Sequence, residues 1–154
     1  MDSKQLIILN LEEVRRRSLK IWMGIPINLL DWKPDKDAMS FKQVIRHVLE
    51  SEYDYHQILL ENDLKNDSPY NLKPFLSIEE EIEFSGKYRK DFFNTINSYS
   101  IDDFINIKID RTDVGYVRTL GDMLLRIAYH ESIHSGQTLQ SLRTVGVERP
   151  DIWD

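Results

Sequence analysis

Apolar and polar residues follow a helical period along most of this chain and predict four long amphipathic helices. The most regular stripe lies near the C-terminal end, where apolar residues recur at spacings of three, four and seven positions. Its members are Leu120, Met123, Leu124, Ile127, Leu142 and Val145. Thr119 is placed to cap this helix and Gly146 to end it, so the last helix is predicted from Thr119 to Val145.

The three earlier helices are predicted from weaker stripes together with capping signals. Each begins with a polar residue followed three positions later by Gln or Glu, the spacing of a capping box, in the pairs Asp2–Gln5, Ser40–Gln43 and Ser77–Glu80. The predicted helices run from near Ser3 to Gly24, from Phe41 to about Asn62, and from Ser77 to about Ser98. The residues expected to face the core are Leu6, Leu9, Val14, Ile21, Trp22, Val44, Val48, Tyr55, Ile58, Leu59, Ile82, Tyr88, Phe92 and Ile96. Gly24 is expected to adopt a left-handed cap conformation where the first helix ends.

The segments between these helices are predicted to be irregular. A connector precedes the second helix, with Trp32 anchoring it, and the polar segment Asp63–Pro74 is predicted as a loop. The segment Ile101–Val117 contains the alternating sequence INIKID, which resembles a strand, but a single strand would lack a partner, so an extended crossing segment is expected. The pattern therefore predicts an all-α fold, a four-helix bundle with a long crossover between helices 3 and 4, in one domain over residues 1–154.

Composition narrows the possible functions of such a bundle. The chain of 154 residues is 41% hydrophobic and 30% charged, and its net charge of -6 argues against a general nucleic-acid-binding protein. The absence of cysteine excludes disulfides, thiolate metal ligands and a cysteine nucleophile. No apolar run is long enough to span a membrane and the N-terminal segment does not resemble a signal peptide, so a cytoplasmic protein with no membrane partner is expected.

Two histidines on the last helix are the strongest indication of chemistry. His130 and His134 are four residues apart, so their side chains lie on the same face of a helix, one turn apart. That face belongs to or borders the apolar stripe, where each imidazole must stay neutral and find hydrogen-bond partners. A metal ion bound by both rings would satisfy both requirements.

The second helix supplies a third candidate ligand. His47 lies three residues after Val44 and one before Val48, on the shoulder of the predicted buried stripe. Beside a pair of inward-facing histidines on another helix, this position favours a third metal ligand over a histidine that only borders the core. His56 follows nine residues later, about 900° around the helix, and is therefore predicted on the opposite, solvent-exposed face.

The last helix also contains the sequence HESIH, which matches the H-E-x-x-H motif of zinc proteases. In that motif the glutamate is the general base, which makes Glu131 a candidate for this role. The longer protease pattern fails at Gln137 and Gln140, and no sheet edge is predicted to align a peptide. A supporting or helix-surface carboxylate is the alternative role for Glu131. Arg126 and Arg143 are candidates for contact with an anionic substrate, although a solvated or paired surface role is the simpler interpretation.

Several residues together resemble the DinB/YfiT-like superfamily. The matching positions are Trp32, Pro34, His47, His130, His134, Gly136, Gln137, Leu142, Arg143, Gly146 and Pro150. The resemblance implies a four-helix bundle in which one histidine of the second helix and an H-x-x-x-H pair of the last helix bind a divalent metal ion together with water. It also implies a homodimer in many members, and thiol-dependent transferase or hydrolase activity in some.

The chemistry of this ligand set agrees with the resemblance. Three neutral imidazoles leave a fourth position open, as in catalytic rather than structural zinc sites. Zinc and nickel are the favoured ions, with iron, copper and manganese as alternatives. Candidate partners for the outer ring nitrogens are Glu50, Ser51, Asp54 and Gln137.

The leading functional hypothesis is an enzyme that activates water or a low-molecular-weight thiol for attack on a small electrophile, with a small molecule as substrate. The first alternative is a non-catalytic metal-binding or stress-response scaffold, in which the ion mainly joins two helices. The second is an interaction bundle that binds no metal.

Overall fold

Four long helices account for most of the protein in a computed structural model, which describes residues 1–61 and 68–154. In chain order the elements are α1 (Ser3–Met23), α2 (Phe41–Leu59), α3 (Ile78–Ser98), α4 (Asp103–Asn106), β1 (Lys108–Arg111), β2 (Tyr116–Thr119) and α5 (Leu120–Thr144). The second helix ends before Asn62, and Asn62 and the part of the predicted loop over residues 63–67 lie outside the described residues. No helix of the described chain combines the length and apolar character that crossing a membrane requires.

The residues predicted to cap the helices do so. Asp2 and Gln5 form both hydrogen bonds of a capping box at α1, and Ser40 and Gln43 do the same at α2. At α3 only half of the predicted box forms, because the Ser77 hydroxyl accepts from the Glu80 amide whereas the Glu80 carboxylate pairs with Lys73. Thr119 accepts from the amide of Asp122 at the start of α5. These local bonds explain why the predicted starting points of the long helices hold.

The expectation for Gly24 was wrong. Its φ of -85° lies in the ordinary right-handed region, so no left-handed cap ends α1. A side chain at this position would instead collide with Pro150, because an ideal Cβ would lie 2.6 Å from the proline Cγ. The glycine is therefore explained by the close approach of the C-terminal segment and not by backbone conformation.

Contacts between the helices establish their directions. Arg46 of α2 pairs with Glu81 of α3 near the starts of both helices, and His56 contacts Thr95 near their ends, so α2 and α3 run parallel. Hydrogen bonds from Arg15 to Glu131 and between Ser18 and Ser135 show that α1 and α5 also run parallel to each other. The end of α3 meets the start of α1, where Lys4 donates to the carbonyl of Asn97, so the two pairs are antiparallel.

These directions correct the predicted position of the crossover. The chain leaves α2 at one end of the molecule and enters α3 at the other, so the long crossover lies between α2 and α3 and not between the third and fourth long helices. The connection from α3 to α5 stays at one end, because the end of α3 meets the start of α1 and α1 runs parallel to α5. Helix periodicity indicates which face of a helix is apolar but not which way the helix points.

The segment expected to be an extended crossing is a β-hairpin. β1 and β2 pair antiparallel with Ile109 opposite Arg118, and the turn passes through Gly115, whose φ is 91°. The last three residues of INIKID lie in β1, whereas its first two belong to α4, and the partner of β1 is formed by the four residues immediately before α5. The partner strand β2 was not predicted, because its four residues carry too few alternating positions to be recognised from periodicity.

The core is divided into two apolar clusters separated by charged residues. One cluster surrounds Phe92 and Leu124, and the other surrounds Trp22 and Leu142. In α1 the predicted stripe was displaced, because Leu6 and Leu9 are 54% and 42% exposed whereas Ile7 and Leu11 face the core. An irregular apolar pattern permits either set of residues to face inward, and packing against α3 and α5 decides between them.

One charged residue from each long helix meets between the two clusters. The core charge network consists of Arg15, Glu52, Arg89 and Glu131. Arg15 donates to both oxygens of Glu131, at 2.8 and 3.1 Å, and to Glu52 at 3.3 Å. Arg89 pairs with Glu52 and also donates to the carbonyl of Leu11. Two guanidinium groups and two carboxylates balance each other, which permits their burial.

Candidate metal centre

The three predicted ligands converge where α2 faces α5. The Nε2 atom of His130 lies 3.1 Å from Nε2 of His47 and 3.1 Å from Nε2 of His134. One ring nitrogen from each residue lies within 4.8 Å of the other two. We call His47, His130 and His134 the histidine triad.

The geometry of the two helices explains this convergence. His130 and His134 stand one turn apart on α5, and their ring centroids are 4.6 Å apart. His47 approaches from α2, with its ring centroid 5.0 Å from His130 and 4.8 Å from His134, and meets both rings edge to face. The shoulder position of His47 on α2 therefore points its ring at the facing helix.

A hydrogen bond determines which nitrogen of His134 is free. Nδ1 of His134 lies 2.8 Å from Oε1 of Gln137, so Nδ1 carries the proton and donates it to the amide oxygen. Nε2 then presents a lone pair to His130. One proton on Nε2 of His130 can satisfy its contact with His47 or with His134 but not both, whereas a cation among the three nitrogens would satisfy every lone pair.

Burial and mutual proximity lower the pKa values of His130 and His47 and so favour the neutral ring, the form that binds metals. Burial and the neighbouring His134 and His47 lower the pKa of His130 to about 4, and Glu131 opposes this shift. The pKa of His47 is also lowered, first by burial and then by His134, while Glu50 acts in the opposite direction.

Two of the three separations between triad nitrogens match a small divalent ion, and the third, between His47 and His134, is within 4.8 Å. Ligands about 2.0–2.1 Å from a tetrahedral ion lie roughly 3.3 Å from one another. The two measured Nε2 separations of 3.1 Å are close to this value. Neutral imidazoles suit zinc, nickel, iron and copper, so the donor set fits a divalent metal without identifying it.

Of the four predicted partners of the ligands, Gln137 alone is hydrogen-bonded to a triad ring within the described residues. Glu50 accepts a hydrogen bond from the hydroxyl of Ser68 and acts on His47 through its charge. Asp54 is partly buried, and burial together with Glu50 raises its pKa to about 6. Ser51 makes no hydrogen bond to the triad.

The position of Glu131 suits neither a general base nor a helix-surface carboxylate and leaves the supporting role. Its side chain is buried, with a residue exposure of 4%, and both of its oxygens accept from Arg15. It points into the core and away from solvent, so it is not a helix-surface carboxylate, and its engaged oxygens do not suit a general base. The Glu131 side chain points in a different direction from that of His130, because successive residues of a helix are about 100° apart around its axis.

The prediction for His56 was wrong. It is 6% exposed, its Nε2 lies 2.8 Å from the hydroxyl of Thr95, and its ring packs on Phe92. The face of α2 opposite the triad is covered by α3, so this helix is buried on two sides. The sequence predicted correctly that His56 points away from His47, but it did not predict that α3 covers that face of α2.

Two of the cavities in the described part of the chain adjoin the triad. The connector cavity, of about 760 Å³, lies between residues 32–39 and α5 and includes His134 and Gln137 in its wall. The hairpin cavity, of about 250 Å³, includes His130, with Tyr55 of α2 and Arg118 of β2. Periodicity did not predict these cavities, because both depend on how irregular segments fold back on α5.

Comparison with known proteins agrees with this architecture. The family description "DinB superfamily" matches residues 10–138, a range that contains the whole triad. The crystal structure of YjoA, a DinB-like protein from Bacillus subtilis, superposes with a TM-score of 0.70 at 19% sequence identity and covers 96% of each chain, which shows a shared fold. No curated protein matches the sequence. The chain therefore belongs to the DinB superfamily.

Proposed function

We propose that this protein binds one divalent metal ion, zinc or nickel, through His47, His130 and His134. The observation that carries the proposal is the convergence of three Nε2 atoms, with 3.1 Å between His130 and each of the other two. The bound ion would supply Lewis acidity, lowering the pKa of a coordinated water or thiol or polarising a bound electrophile.

The protein's own residues prepare the site for this ion. Gln137 holds His134 in the tautomer that leaves Nε2 free. Arg15 holds Glu131 in the core and thereby limits rotation of α5 about its axis at the position of His130. The four long helices form the bundle on which both groups of ligands are placed, and we propose that this bundle is a single domain.

We propose further that the protein is an enzyme acting on a small electrophile, with water or a low-molecular-weight thiol as the nucleophile. Support comes from the connector cavity, whose volume of about 760 Å³ falls within the usual range of about 300–1,000 Å³ for small-molecule sites. His134 and Gln137 stand in its wall, so a ligand bound there would lie beside the triad.

One observation favours a second candidate, a non-catalytic scaffold. The triad joins α2 and α5, two helices far apart in sequence, so an ion bound there would hold them together as well as act on a ligand. In the scaffold, chelation would lower the melting temperature strongly, and metal-loaded protein would show no turnover.

Metal binding is tested by elemental analysis and calorimetric titration of protein that carries no histidine tag. We expect about one equivalent of zinc or nickel in the wild type and at least a ten-fold loss of affinity in each of His47→Ala, His130→Ala and His134→Ala. His56→Gln is the matched control, because it removes the remaining histidine while keeping a hydrogen-bonding group near Thr95. Equal affinity in wild type and triad variants would reject the site.

The enzyme hypothesis is tested with metal-loaded protein and a panel of small electrophiles, with and without added thiols. Turnover that is lost in His134→Ala and retained in His56→Gln supports an enzyme. Full metal occupancy with no turnover across the panel, together with a large drop in melting temperature on chelation, favours the scaffold.

A further inference from the structure

The triad is approached by two cavities at different levels along α5. The connector cavity extends along α5 from His134 toward Ser141, whereas the hairpin cavity lies on the preceding turns, from Met123 to Ile133. Each contacts a different ligand of the proposed metal site, His134 in the first and His130 in the second. Two molecules bound in these cavities would therefore meet at the triad without sharing a wall.

The hairpin cavity carries a positive charge. Arg118 and Arg126 line it, and both pair with the same carboxylate, Asp122, at the long distances of 3.4 and 3.3 Å. Two guanidinium groups facing one carboxylate leave a net charge of about +1 at neutral pH. Within the described chain, the bond to Asp122 is the one hydrogen bond that the Arg118 side chain donates, so its remaining guanidinium N–H groups are available to a ligand.

The wall of the hairpin cavity keeps this charge in place. The guanidinium of Arg118 stacks 4.4 Å above the ring of Tyr116, which limits its motion. Tyr55 and Tyr129 add aromatic surface beside His130. A planar carboxylate suits such a site, because arginine presents paired donors to its two oxygens.

The connector cavity has the opposite character. Among the residues that the structure describes, its wall contains Asp35 and Asp37 and no lysine or arginine, although Lys33 and Lys36 belong to the same connector. Asp35 is held in place because it accepts from the amides of Asp37 and Ala38. The remainder of the wall includes apolar side chains such as Trp32 and Phe41, which stack on each other with centroids 5.5 Å apart.

We propose that the site takes two ligands of different charge at the same time: a small carboxylate in the hairpin cavity, against Arg118 and Arg126, and an uncharged or cationic, partly apolar molecule in the connector cavity. The cavity volumes agree with a smaller and a larger partner, about 250 and 760 Å³. That these ligands are reactants rests on the proposed metal-dependent function. The binding of two ligands of different charge in separate cavities does not depend on that function.

The test uses three probes that share one aromatic ring and differ in charge: benzoate, benzyl alcohol and benzylammonium. Each is titrated into isotope-labelled, zinc-loaded protein, and into chelated protein in parallel, while the NMR signals are followed. Benzoate is expected to shift the amides of Tyr116 and Arg118 with or without zinc. Benzylammonium and benzyl alcohol are expected to shift the Trp32 indole and the Ala38 methyl group.

Reciprocal variants serve as matched controls for each other. Arg126→Gln is expected to weaken benzoate binding by about five-fold and to leave benzylammonium unchanged. Asp37→Asn is expected to have the reverse effect, by a similar factor. Arg118→Gln is a second test of the benzoate site, and Asp35→Asn is a second test of the benzylammonium site that keeps an acceptor for the turn.

Simultaneous binding of benzoate and benzylammonium supports the proposal, and mutual displacement overturns it. Benzoate affinity that is the same in wild type, Arg118→Gln and Arg126→Gln also overturns it. A zinc titration of the same samples separates this inference from the proposed function. Zinc uptake without the expected partition of probes defeats the two-ligand site alone, whereas the expected partition without zinc uptake defeats only the metal-dependent function.

Discussion

The histidine triad illustrates how a single neighbouring side chain prepares a ligand. Gln137 lies one turn after His134 and engages its Nδ1, which leaves Nε2 as the coordinating atom. Gln140, three residues further, lines the same cavity but makes no hydrogen bond to the triad within the described residues. These two glutamines therefore provide a matched pair for testing the contribution of this bond.

We expect Gln137→Leu to weaken zinc binding by about ten-fold or more, because the substitution removes the acceptor that holds the His134 tautomer. Calorimetric titration measures the change. Gln140→Leu should bind zinc with wild-type affinity. Similar affinity in both variants would show that the hydrogen bond to His134 does not prepare the site.

Asp54 allows a prediction about pH at the same scale. Burial and Glu50 raise the pKa of Asp54 to about 6 in the folded protein, well above its ordinary value. The neutral form is therefore favoured by folding, so the stability that Asp54 contributes is fully present below its unfolded pKa of about 3.9 and is lost as pH rises through about 6. Asp54→Asn should consequently raise the melting temperature at pH 8 and change it little at pH 4.

The check is a series of thermal melts between pH 4 and pH 8. Asp102→Asn, at an exposed position, is the control and should follow the wild type across the range. A melting temperature of Asp54→Asn that differs from wild type by the same amount at every pH would contradict the prediction.

At the scale of elements, the core charge network connects all four long helices. Each helix contributes one charged residue at the level where the two apolar clusters meet, and the four side chains balance in charge. A carboxylate left alone in such an environment is far less favourable than a paired one. Glu131, a member of this network, is next in sequence to His130, so the network holds the turn of α5 that carries this triad residue.

We expect Arg15→Met to destabilise the protein by about 3 kcal/mol or more, because Glu131 would lose its partner while remaining buried. Chemical denaturation measures the free energy of unfolding. Arg16→Met is the control at the next position, since Arg16 pairs with Glu13 and Asp154 at the surface, and it should change the midpoint little. The double variant Arg15→Met with Glu131→Gln should recover part of the loss, which a role of Arg15 in packing alone would not produce.

At the scale of the whole molecule, the arrangement of helices determines what surrounds the triad. Because α1 and α5 run parallel and α2 and α3 run parallel, the connector before α2 lies over the C-terminal half of α5, and the hairpin lies against its N-terminal half. The triad stands between them.

The homodimer implied by the family resemblance stays a prediction at this scale. Light scattering coupled to size-exclusion chromatography should give about twice the chain mass of 18.3 kDa. The measurement is made on metal-loaded and chelated protein, because dimerisation that is independent of the triad should persist after chelation. A mass of one chain in both samples would contradict the prediction.

Features that depend on residues close together in the sequence could be predicted from the sequence alone. The starts of the long helices follow from capping side chains that bond to amides three residues away. The pairing of His130 with His134 follows from helix geometry, since residues four apart lie on the same face of a helix, one turn apart. His47 was predicted because it borders the buried stripe of its own helix, and Gln137 was among the predicted partners because it is near His134 in sequence.

Only the tertiary structure decided what depends on neighbours far along the chain. A stripe of apolar residues does not specify helix direction, so the position of the crossover was predicted wrongly, and it does not reveal a second buried face, so His56 was assigned to solvent. Glu131 became a core residue because Arg15, 116 positions away, balances its charge. The two cavities likewise arise where irregular segments fold onto α5, since their contacts are set by packing and not by any periodic pattern.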